Sequence, residues 1–343
     1  MGFRYLGNKK RLADWIVDKC SERMLAGAVV ADPMCGTATV SRAFADAGFR
    51  VLASDELRFP VLHAKAQLLP HDRCDFGVAG GSLESALGHL NSLPETQGFF
   101  WKEYSSDGAP GNGAKPRAYL TGSNAAKVDA MRAQIIDWQS EGMDKEAVDL
   151  LLHHLILAVN RVANIAGTYG YYRSSWSPAS LSPIELRPYA QSPAAHLKHV
   201  VQQGRVEDIA LKLDVELCYL DPPYTKRQYG GNYHLLETLA VQDEPDPVGE
   251  GGLRDWYPQS SAFCSKRKVR QALRETLKRL DSPYVALSYS EDGLVPPDEM
   301  WELLAQYGRV RREEAHLPRF RSNDGKSNKG GSVKEHLYLL ERQ

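Results

Sequence analysis

The sequence has 343 residues, 43% of them hydrophobic and 25% charged, which is typical of a folded globular protein. Its 42 basic and 43 acidic side chains nearly cancel, so charge neither favours nor excludes a nucleic-acid partner. No stretch approaches the roughly 20 apolar residues needed to cross a bilayer, and the start, MGFRYLGNKKRL, has no apolar signal region, so we expect a cytoplasmic protein without a membrane segment. The five cysteines are scattered and form no CxxC pair, which disfavours a disulfide framework or a metal site.

Alternating strands and helices are predicted in the first 69 residues. The pattern predicts strands at 28–31 and 50–54 and helices at 41–48 and 59–69. Each strand is followed directly by an acid, Asp32 or Asp55, and a glycine-containing turn follows the first of them. This order is typical of a nucleotide-binding sheet.

A long segment outside the sheet is predicted next. Between 77 and 123 the apolar periodicity fades, and Gly, Ser, Pro and Asn become frequent. Apolar residues at helical spacing then predict helices at 124–138 and 144–165. The second helix contains His153 and His154. Metal binding by this pair is disfavoured, because adjacent helical positions point about 100° apart and no acid or cysteine stands at ligand spacing.

The sheet pattern resumes near residue 197. Strands are predicted at 197–201, 215–220 and 283–290, and the segments 309–317 and 335–341 predict a hairpin around the polar loop 322–331. The fold class is therefore α/β, with a mixed sheet that a closing antiparallel hairpin completes. We predict that 1–76 and 197–343 form the sheet domain and that 77–196 is an inserted, partly helical region.

The motif with the clearest chemistry is Asp221-Pro222-Pro223-Tyr224, directly after the strand predicted at 215–220. Ligands of open α/β sheets bind beyond the carboxyl ends of the strands, where this motif is expected. Two prolines remove two backbone donors and leave carbonyl acceptors, which suits an amine substrate. Asp221 and the Pro222 carbonyl can accept hydrogen bonds from an adenine N6 amine as its charge grows, while Tyr224 offers a flat face for the base. The alternative is a proline-rich turn without a chemical role.

A second motif, DPMCGTAT at 32–39, also lies between a predicted strand and a helix. Gly36 permits close backbone approach to a cofactor, and the following helix N-terminus faces an anionic group. The spacing matches neither a Walker A loop nor GxGxxG, which disfavours phosphate and dinucleotide binding. Asp55 is placed to bind ribose hydroxyls, and a helix cap is its alternative role.

These motifs resemble, in type and order, the alpha group of N6-adenine DNA methyltransferases, to which the Dam methylases belong. The extended block TKRQYGGNYHLLETLA is similar to the branch typified by the FokI modification methylase. The resemblance rests on the following segments: Tyr5-Leu6-Gly7-Asn8-Lys9, DPMCGTATV, Asp55, GRVEDI, DPPY, NIAGTYGYY, FCSKRKV, SYSEDGL and the tail LPRFRS…VKEHLYLL. It implies a Rossmann-like S-adenosylmethionine-dependent methyltransferase fold, with 1–76 and 197–343 as the catalytic domain and 77–196 as the target-recognition region.

The resemblance also implies roles for individual residues. Asp221, Pro222, Pro223 and Tyr224 would hold the target base. A second group would bind S-adenosylmethionine, with S-adenosylhomocysteine as the product: Tyr5, Gly7, Lys9, Asp32, Pro33, Gly36, Thr37, Asp55, Asp208 and Ile209. The family's usual second glycine in the cofactor loop is Ala38 here, which a negative φ would accommodate.

Double-stranded DNA is the implied partner. The residues expected to contact DNA lie in or beside the matched blocks: Asn160, Arg161, Tyr169, Arg173, Lys226, Arg227, Tyr229, Asn232, Tyr233, Lys266, Arg267, Lys268 and Arg270. The last four belong to the basic segment KRKVRQALRETLKR at 266–279. From charge alone this segment is equally well explained as a solvated helix face or a phosphate contact.

Three other functions are weighed against this one. A catalytically inactive homologue would bind DNA only, but the motifs are intact. Enzymes that methylate RNA or a protein amide nitrogen share the fold, although the glutamine enzymes usually carry Asn where this chain has Asp221. A cytosine-C5 enzyme would need a nucleophilic cysteine after proline, and the chain has no Pro-Cys pair. The FokI-like branch implies a monomer that reads an asymmetric site, and a cognate restriction endonuclease as partner is left open.

Overall fold

The fold is described from a computed structural model, which covers residues 3–209, 214–318 and 332–342. Within these ranges the strands are β1 (Val29–Asp32), β2 (Arg50–Asp55), β3 (Val200–Gln203), β4 (Leu217–Leu220), β5 (Tyr284–Ser290), β6 (Gly308–Pro318) and β7 (Ser332–Arg342). They form one sheet in the order β3-β2-β1-β4-β5-β7-β6. The first five strands in that order are parallel neighbours, and β7 runs antiparallel between β5 and β6. The predicted mixed α/β sheet and its closing hairpin strands are confirmed, while the loop predicted at 322–331 lies outside the described residues.

Burial explains the order of the strands. All four residues of β4 are buried, as expected for a parallel strand covered on both faces. The edge strand β6 contains no fully buried residue and carries alternating charges such as Arg311 and Glu313, which discourage pairing with another chain.

The helices of the described residues are α1 (Ala13–Ser21), α2 (Thr39–Asp46), α3 (Arg58–Leu68), α4 (Leu83–Ser92), α5 (Phe99–Tyr104), α6 (Gly122–Ser140), α7 (Lys145–Val162), α8 (Val206–Ile209), α9 (Tyr229–Asn232), α10 (His234–Val241), α11 (Val269–Arg279) and α12 (Pro297–Ala305). The helices predicted from apolar periodicity are confirmed. Helices α4 and α5 were not predicted, because they lie in a stretch rich in turn-forming residues. Helix α4 begins where the Ser82 hydroxyl accepts a hydrogen bond from the Ser85 amide.

Contacts within the chain define two compact units. The sheet unit contains Lys9–Glu56 and the described residues within Leu197–Gln228 and from Ser261 onward. The helical unit contains the described residues up to Asn8 together with Leu57–His196 and Tyr229–Ser260. Each unit has its own core.

The units differ from the predicted division of the chain. Residues 3–8, 57–76 and 229–260 join the helical unit rather than the predicted sheet domain. The reason is that α3 and α10 pack against α7 through apolar faces that include Leu62 and Leu236. The recognition role assigned to residues 77–196 stays a prediction.

The two adjacent histidines of α7 are core residues of the helical unit. His153 and His154 are buried, and His153 Nε2 lies 2.9 Å from His63 Nδ1. Burial lowers the pKa of His63 to about 3, which favours the neutral ring. Among the described residues, no three His, Cys, Asp or Glu side chains are grouped as metal ligands would be. No described helix is both long and apolar enough to span a membrane.

Candidate active site

Acidic side chains collect at one edge of the sheet in the sheet unit. Asp32 ends β1, Asp55 ends β2 and Asp221 follows β4. These strands are parallel and adjacent in the order β2-β1-β4, so their carboxyl ends meet at the same edge. Helix α8, which contains Asp208 and Ile209, follows β3, the next parallel strand along. Ile209 is buried, whereas Asp208 is exposed.

Asp221 is held by a buried lysine. Lys9 Nζ donates to Asp221 Oδ1 at 2.7 Å, and the side chains of Lys9 and Asp221 are 6% and 20% exposed. The resemblance assigns Lys9 to the cofactor, and in the structure its ammonium contacts the carboxylate of the DPPY motif. Burial opposes the charge of Lys9, yet Asp221 and Glu335 beside it more than offset this and raise the pKa of the ammonium. Lys9 therefore stays charged at neutral pH.

Burial also governs the Asp221 carboxylate. It raises the pKa of Asp221 to about 6, against the lowering effect of Lys9. The carboxylate is therefore ionised at neutral pH and more basic than an exposed aspartate. A basic carboxylate is a strong hydrogen-bond acceptor.

The remaining residues of the DPPY motif are fixed by neighbours in the sheet unit. Pro222 is buried, while Pro223 and Tyr224 are partly exposed. The Tyr224 ring makes an edge contact with Tyr289 at 6.1 Å between centroids, and its carbonyl accepts from the Leu294 amide at 3.0 Å. Both partners belong to the SYSEDGL segment. The Tyr224 ring is therefore presented on a rigid support.

The loop after β1 is fastened to the end of β2. The Gly36 amide donates to Asp55 Oδ2 at 3.0 Å, and the Cys35 amide donates to the Ser54 carbonyl at 2.9 Å. Gly36 has a φ of +51°, which a glycine adopts without strain. The N-cap of α3 is Leu57, with no side-chain cap, so Asp55 does not cap that helix. Pro33 and Thr37 of the loop are buried.

The backbone conformation of Ala38 is unfavourable for an alanine. Its φ is +52°, in the left-handed region, and the residue is fully buried at the N-cap of α2. A methyl group in that conformation crowds the following carbonyl and costs about 1–2 kcal/mol. The condition under which alanine would be accommodated, a negative φ, is therefore not met.

Asp32 has one satisfied and one unsatisfied oxygen. Its Oδ2 accepts from the Ser41 hydroxyl at 2.6 Å, whereas its Oδ1 is buried and has no hydrogen-bond partner among the described residues. Burial raises the pKa of Asp32 to about 7. A buried oxygen without a partner is costly, and a cationic or N–H donor from a ligand would satisfy it. The site thus fits a cofactor that carries an ammonium group.

The predicted cofactor residues Tyr5 and Gly7 belong to the helical unit. The Tyr5 ring stacks on Tyr233 at 4.9 Å, and the Tyr233 hydroxyl accepts from the Leu6 amide at 2.6 Å. The Tyr229 hydroxyl donates to the Leu6 carbonyl at 3.1 Å. Gly7 has a φ of +72°. Segments 5–7 and 229–233 are thus bound to each other.

Three residues that were predicted to contact DNA are buried in the structure. Tyr169 and Tyr233 have no exposed surface, and Asn160 is 4% exposed. The Asn160 amide donates to the Tyr169 hydroxyl at 3.0 Å. Side chains so enclosed have no face for DNA, and they build the core of the helical unit. The remaining predicted contacts in that unit, Arg161, Arg173, Tyr229 and Asn232, are partly exposed.

The exposed cations of the sheet unit lie on two linked segments. Lys226 and Arg227 follow the DPPY motif, and Lys266, Arg267 and Lys268 precede α11, all of them exposed. The segments are joined by two hydrogen bonds between Gln228 and Ser261, at 2.8 and 3.2 Å, and by a third from Cys264 to the Arg227 carbonyl.

Arg270 was also predicted to contact DNA, but it differs from these exposed cations because it is paired with a carboxylate of the same chain. Its guanidinium binds both carboxylate oxygens of Glu299, with Nη2 2.6 Å from Oε2. Its charge is therefore already compensated within the chain. No signal in the sequence could have shown this, because Glu299 lies on a different helix.

Glu335 is a site residue that the sequence did not indicate. Its Oε1 lies 3.3 Å from Lys9 Nζ, and it is 5% exposed. Only the fold brings it close to Lys9, since it stands in β7 near the end of the chain. Local spacing could not have found it.

The chain was compared with known proteins. The model of one family, "D12 class N6 adenine-specific DNA methyltransferase", matches residues 5–303. The type II methyltransferase M.NlaIII of Neisseria lactamica is 29% identical over 98% of this chain and 99% of its own length. The modification methylase StsI of Streptococcus sanguinis and M.FokI of Planomicrobium okeanokoites are each 28% identical over 99% of this chain. The chain spans about half the length of these last two, 52% in each case.

Proposed function

Because the chain belongs to the D12 class of N6 adenine-specific DNA methyltransferases, we propose that it moves the methyl group of S-adenosylmethionine to an adenine flipped out of duplex DNA. The family and the reaction class predicted from the sequence are confirmed by the family match. The methyl donor, the flipped base and the residue roles are the proposal. The observation that carries it is the partly buried Asp221 carboxylate, held by Lys9 at the carboxyl edge of the sheet.

Asp221 is proposed to act on the target amine. The N6 lone pair of adenine is delocalised into the ring, so the amine must pyramidalise before it attacks a methyl group. Asp221 and the Pro222 carbonyl accept the N–H groups and stabilise the positive charge that grows on nitrogen. The raised pKa of Asp221 supports this role, because a more basic carboxylate is a better acceptor.

Tyr224 is proposed to support the ring of the flipped adenine. Its aromatic face is partly exposed, and its edge contact with Tyr289 holds it in place. Stacking on such a face offsets part of the cost of taking the base out of the duplex.

The cofactor is proposed to lie at the ends of β1, β2 and β3. Asp32 Oδ1 fits the ammonium of the methionine end, and Gly36 allows the backbone to approach it. Asp55 would bind the ribose hydroxyls, and the exposed Asp208 the amine of the cofactor's adenine. When bound, S-adenosylmethionine supplies an electrophilic methyl group on a sulfonium.

DNA is proposed to contact the exposed cations of the sheet unit, Lys226, Arg227, Lys266, Arg267 and Lys268. Recognition of the sequence is proposed to lie in residues 77–196. The site read on DNA, a monomeric state and any endonuclease partner stay predictions from the resemblance.

The test is identification of the product. The protein would be incubated with duplex DNA and S-adenosylmethionine labelled on the methyl group, and the DNA digested to nucleosides. We expect the label on N6-methyladenine in wild type and very little label with Asp221→Asn. Label on cytosine would refute the proposal, and absence of label from DNA would favour the inactive, DNA-binding alternative.

A further inference from the structure

The Lys9 ammonium is shared between two carboxylates. Lys9 Nζ lies 2.7 Å from Asp221 Oδ1 and 3.3 Å from Glu335 Oε1. Glu335 Oε1 also accepts from the Ser288 hydroxyl at 2.8 Å, and Ser288 is fully buried. Glu335 follows the last residue that the family model matches, so the family match assigns it no role.

Glu335 is rigidly placed by the sheet. It belongs to β7, and its register partner is Ser290 of the neighbouring strand β5. The adjoining residue, Lys334, exchanges hydrogen bonds with Glu291: its amide donates to Glu291 Oε1 at 2.7 Å, and its carbonyl accepts from the Glu291 amide at 3.0 Å. A carboxylate fixed in this way can hold Lys9 in one position.

We propose that Glu335 is a positioning residue for methyl transfer, which shares the Lys9 ammonium with Asp221 and so leaves the Asp221 carboxylate only partly paired. This inference rests on the proposed role of Asp221. If Lys9 faced Asp221 alone, the ion pair would be fully compensated, and Asp221 would be a weaker acceptor for the adenine amine. With Glu335 present, the buried Lys9 and Glu335 and the partly buried Asp221 carry a net charge of minus one, which favours a substrate amine that becomes positive in the transition state.

The effect of Glu335 on Asp221 can be separated from the effects of the other titratable groups around Asp221. Asp32 on β1, Tyr219 on β4 and Tyr224 are electrostatically coupled to Asp221. Glu335 raises the pKa of Asp221, and Lys9 lowers it. Asp32 is coupled to Asp221 and Asp55. Saturating S-adenosylmethionine removes any effect of Asp32 on cofactor binding, so a change at Glu335 is measured through Asp221.

The test is the pH profile of single-turnover methylation for the full chain with Glu335→Gln, at saturating S-adenosylmethionine. Glutamine keeps an acceptor for Lys9 and Ser288 but removes the charge. We expect the acid limb of the profile to move to lower pH and the plateau rate to fall roughly tenfold. Cofactor affinity, measured by calorimetry, should not change. Glu335→Asp keeps the charge and moves its position, so it should leave the acid limb in place while it lowers the rate.

Two controls separate the possible failures. Glu341→Gln changes an exposed carboxylate of the same strand, which pairs with Arg23, and should leave rate and profile unchanged. If Glu335→Gln keeps the wild-type rate and acid limb, or if both Glu335 variants lose activity equally with the limb unmoved, the inference is wrong. If instead Asp221→Asn remains active, the proposed role of Asp221 fails, whatever the result at Glu335.

Discussion

The sheet unit and the helical unit differ in how far the residues predicted to contact DNA are exposed. In the sheet unit, polar groups are left available: Asp32 Oδ1 is without a partner among the described residues, and Lys266 to Lys268 are exposed. In the helical unit, Asn160 and Tyr169, from an equally well-matched part of the chain, are buried and hydrogen-bonded to each other. Membership of a motif therefore does not establish contact with a ligand.

The largest effect is expected in the sheet unit, from Asp221→Asn. The amide has the shape of the carboxylate but lacks the charge that we propose stabilises the amine in the transition state. We expect methyl transfer to fall about 10²–10⁴-fold, with cofactor binding retained. Labelled transfer and calorimetry on the same preparation would check both. If the rate of methyl transfer by Asp221→Asn stays within a few-fold of the wild-type rate, the functional contrast between the units is lost.

Substitution of one tyrosine in each unit tests whether the two rings differ in role. Tyr169→Ala removes a fully buried ring from the helical unit and should lower the free energy of unfolding by about 3–5 kcal/mol. Tyr224→Ala should instead lose a stacking contribution of about 1–3 kcal/mol to base binding, while Tyr224→Phe keeps most activity. Denaturant unfolding and fluorescence of 2-aminopurine at the target position would separate the two. Equal activity of the Phe and Ala variants at Tyr224 would argue against stacking.

Part of this contrast could be predicted from the sequence and part could not. Strands such as β1 and β4 are short buried runs followed by acids, so their ends, and with them Asp32, Asp55 and Asp221, were located correctly. Pairings between distant segments were not accessible, because no local pattern encodes them. Arg270 with Glu299, Lys9 with Glu335, and the packing of α3 and α10 on α7 are of this kind.

The salt dependence of DNA binding should distinguish the exposed cations before α11 from Arg270, whose charge is paired. If Lys266, Arg267 and Lys268 contact phosphates, each change to glutamine should flatten the slope of log affinity against log salt by about 0.9. Cognate and non-cognate duplexes should weaken alike. Arg270→Gln is the matched control, since Glu299 already pairs its charge, and should leave the slope unchanged. Parallel slopes for the triple variant and wild type would assign the segment to a solvated face.

The smallest effect is expected from Ala38→Gly in the loop after β1. Glycine relieves the strain of a positive φ at the N-cap of α2, so the free energy of unfolding should rise by about 1 kcal/mol. Thermal unfolding without cofactor would measure it. A destabilised glycine variant would mean that the buried alanine methyl group contributes more than its conformation costs.

The most direct test of the central claim, that the Asp221 carboxylate acts on the target amine, is the pH dependence of single-turnover methylation. Saturating S-adenosylmethionine removes any effect of Asp32 on cofactor binding. The pKa of Asp221 is raised to about 6, so the reactive ionised form is present above that pH and is lost as pH falls through it. We predict a rate that declines below about pH 6 with the uptake of one proton. A rate that stays constant down to about pH 5, while the protein remains folded and bound to DNA, would contradict the assignment.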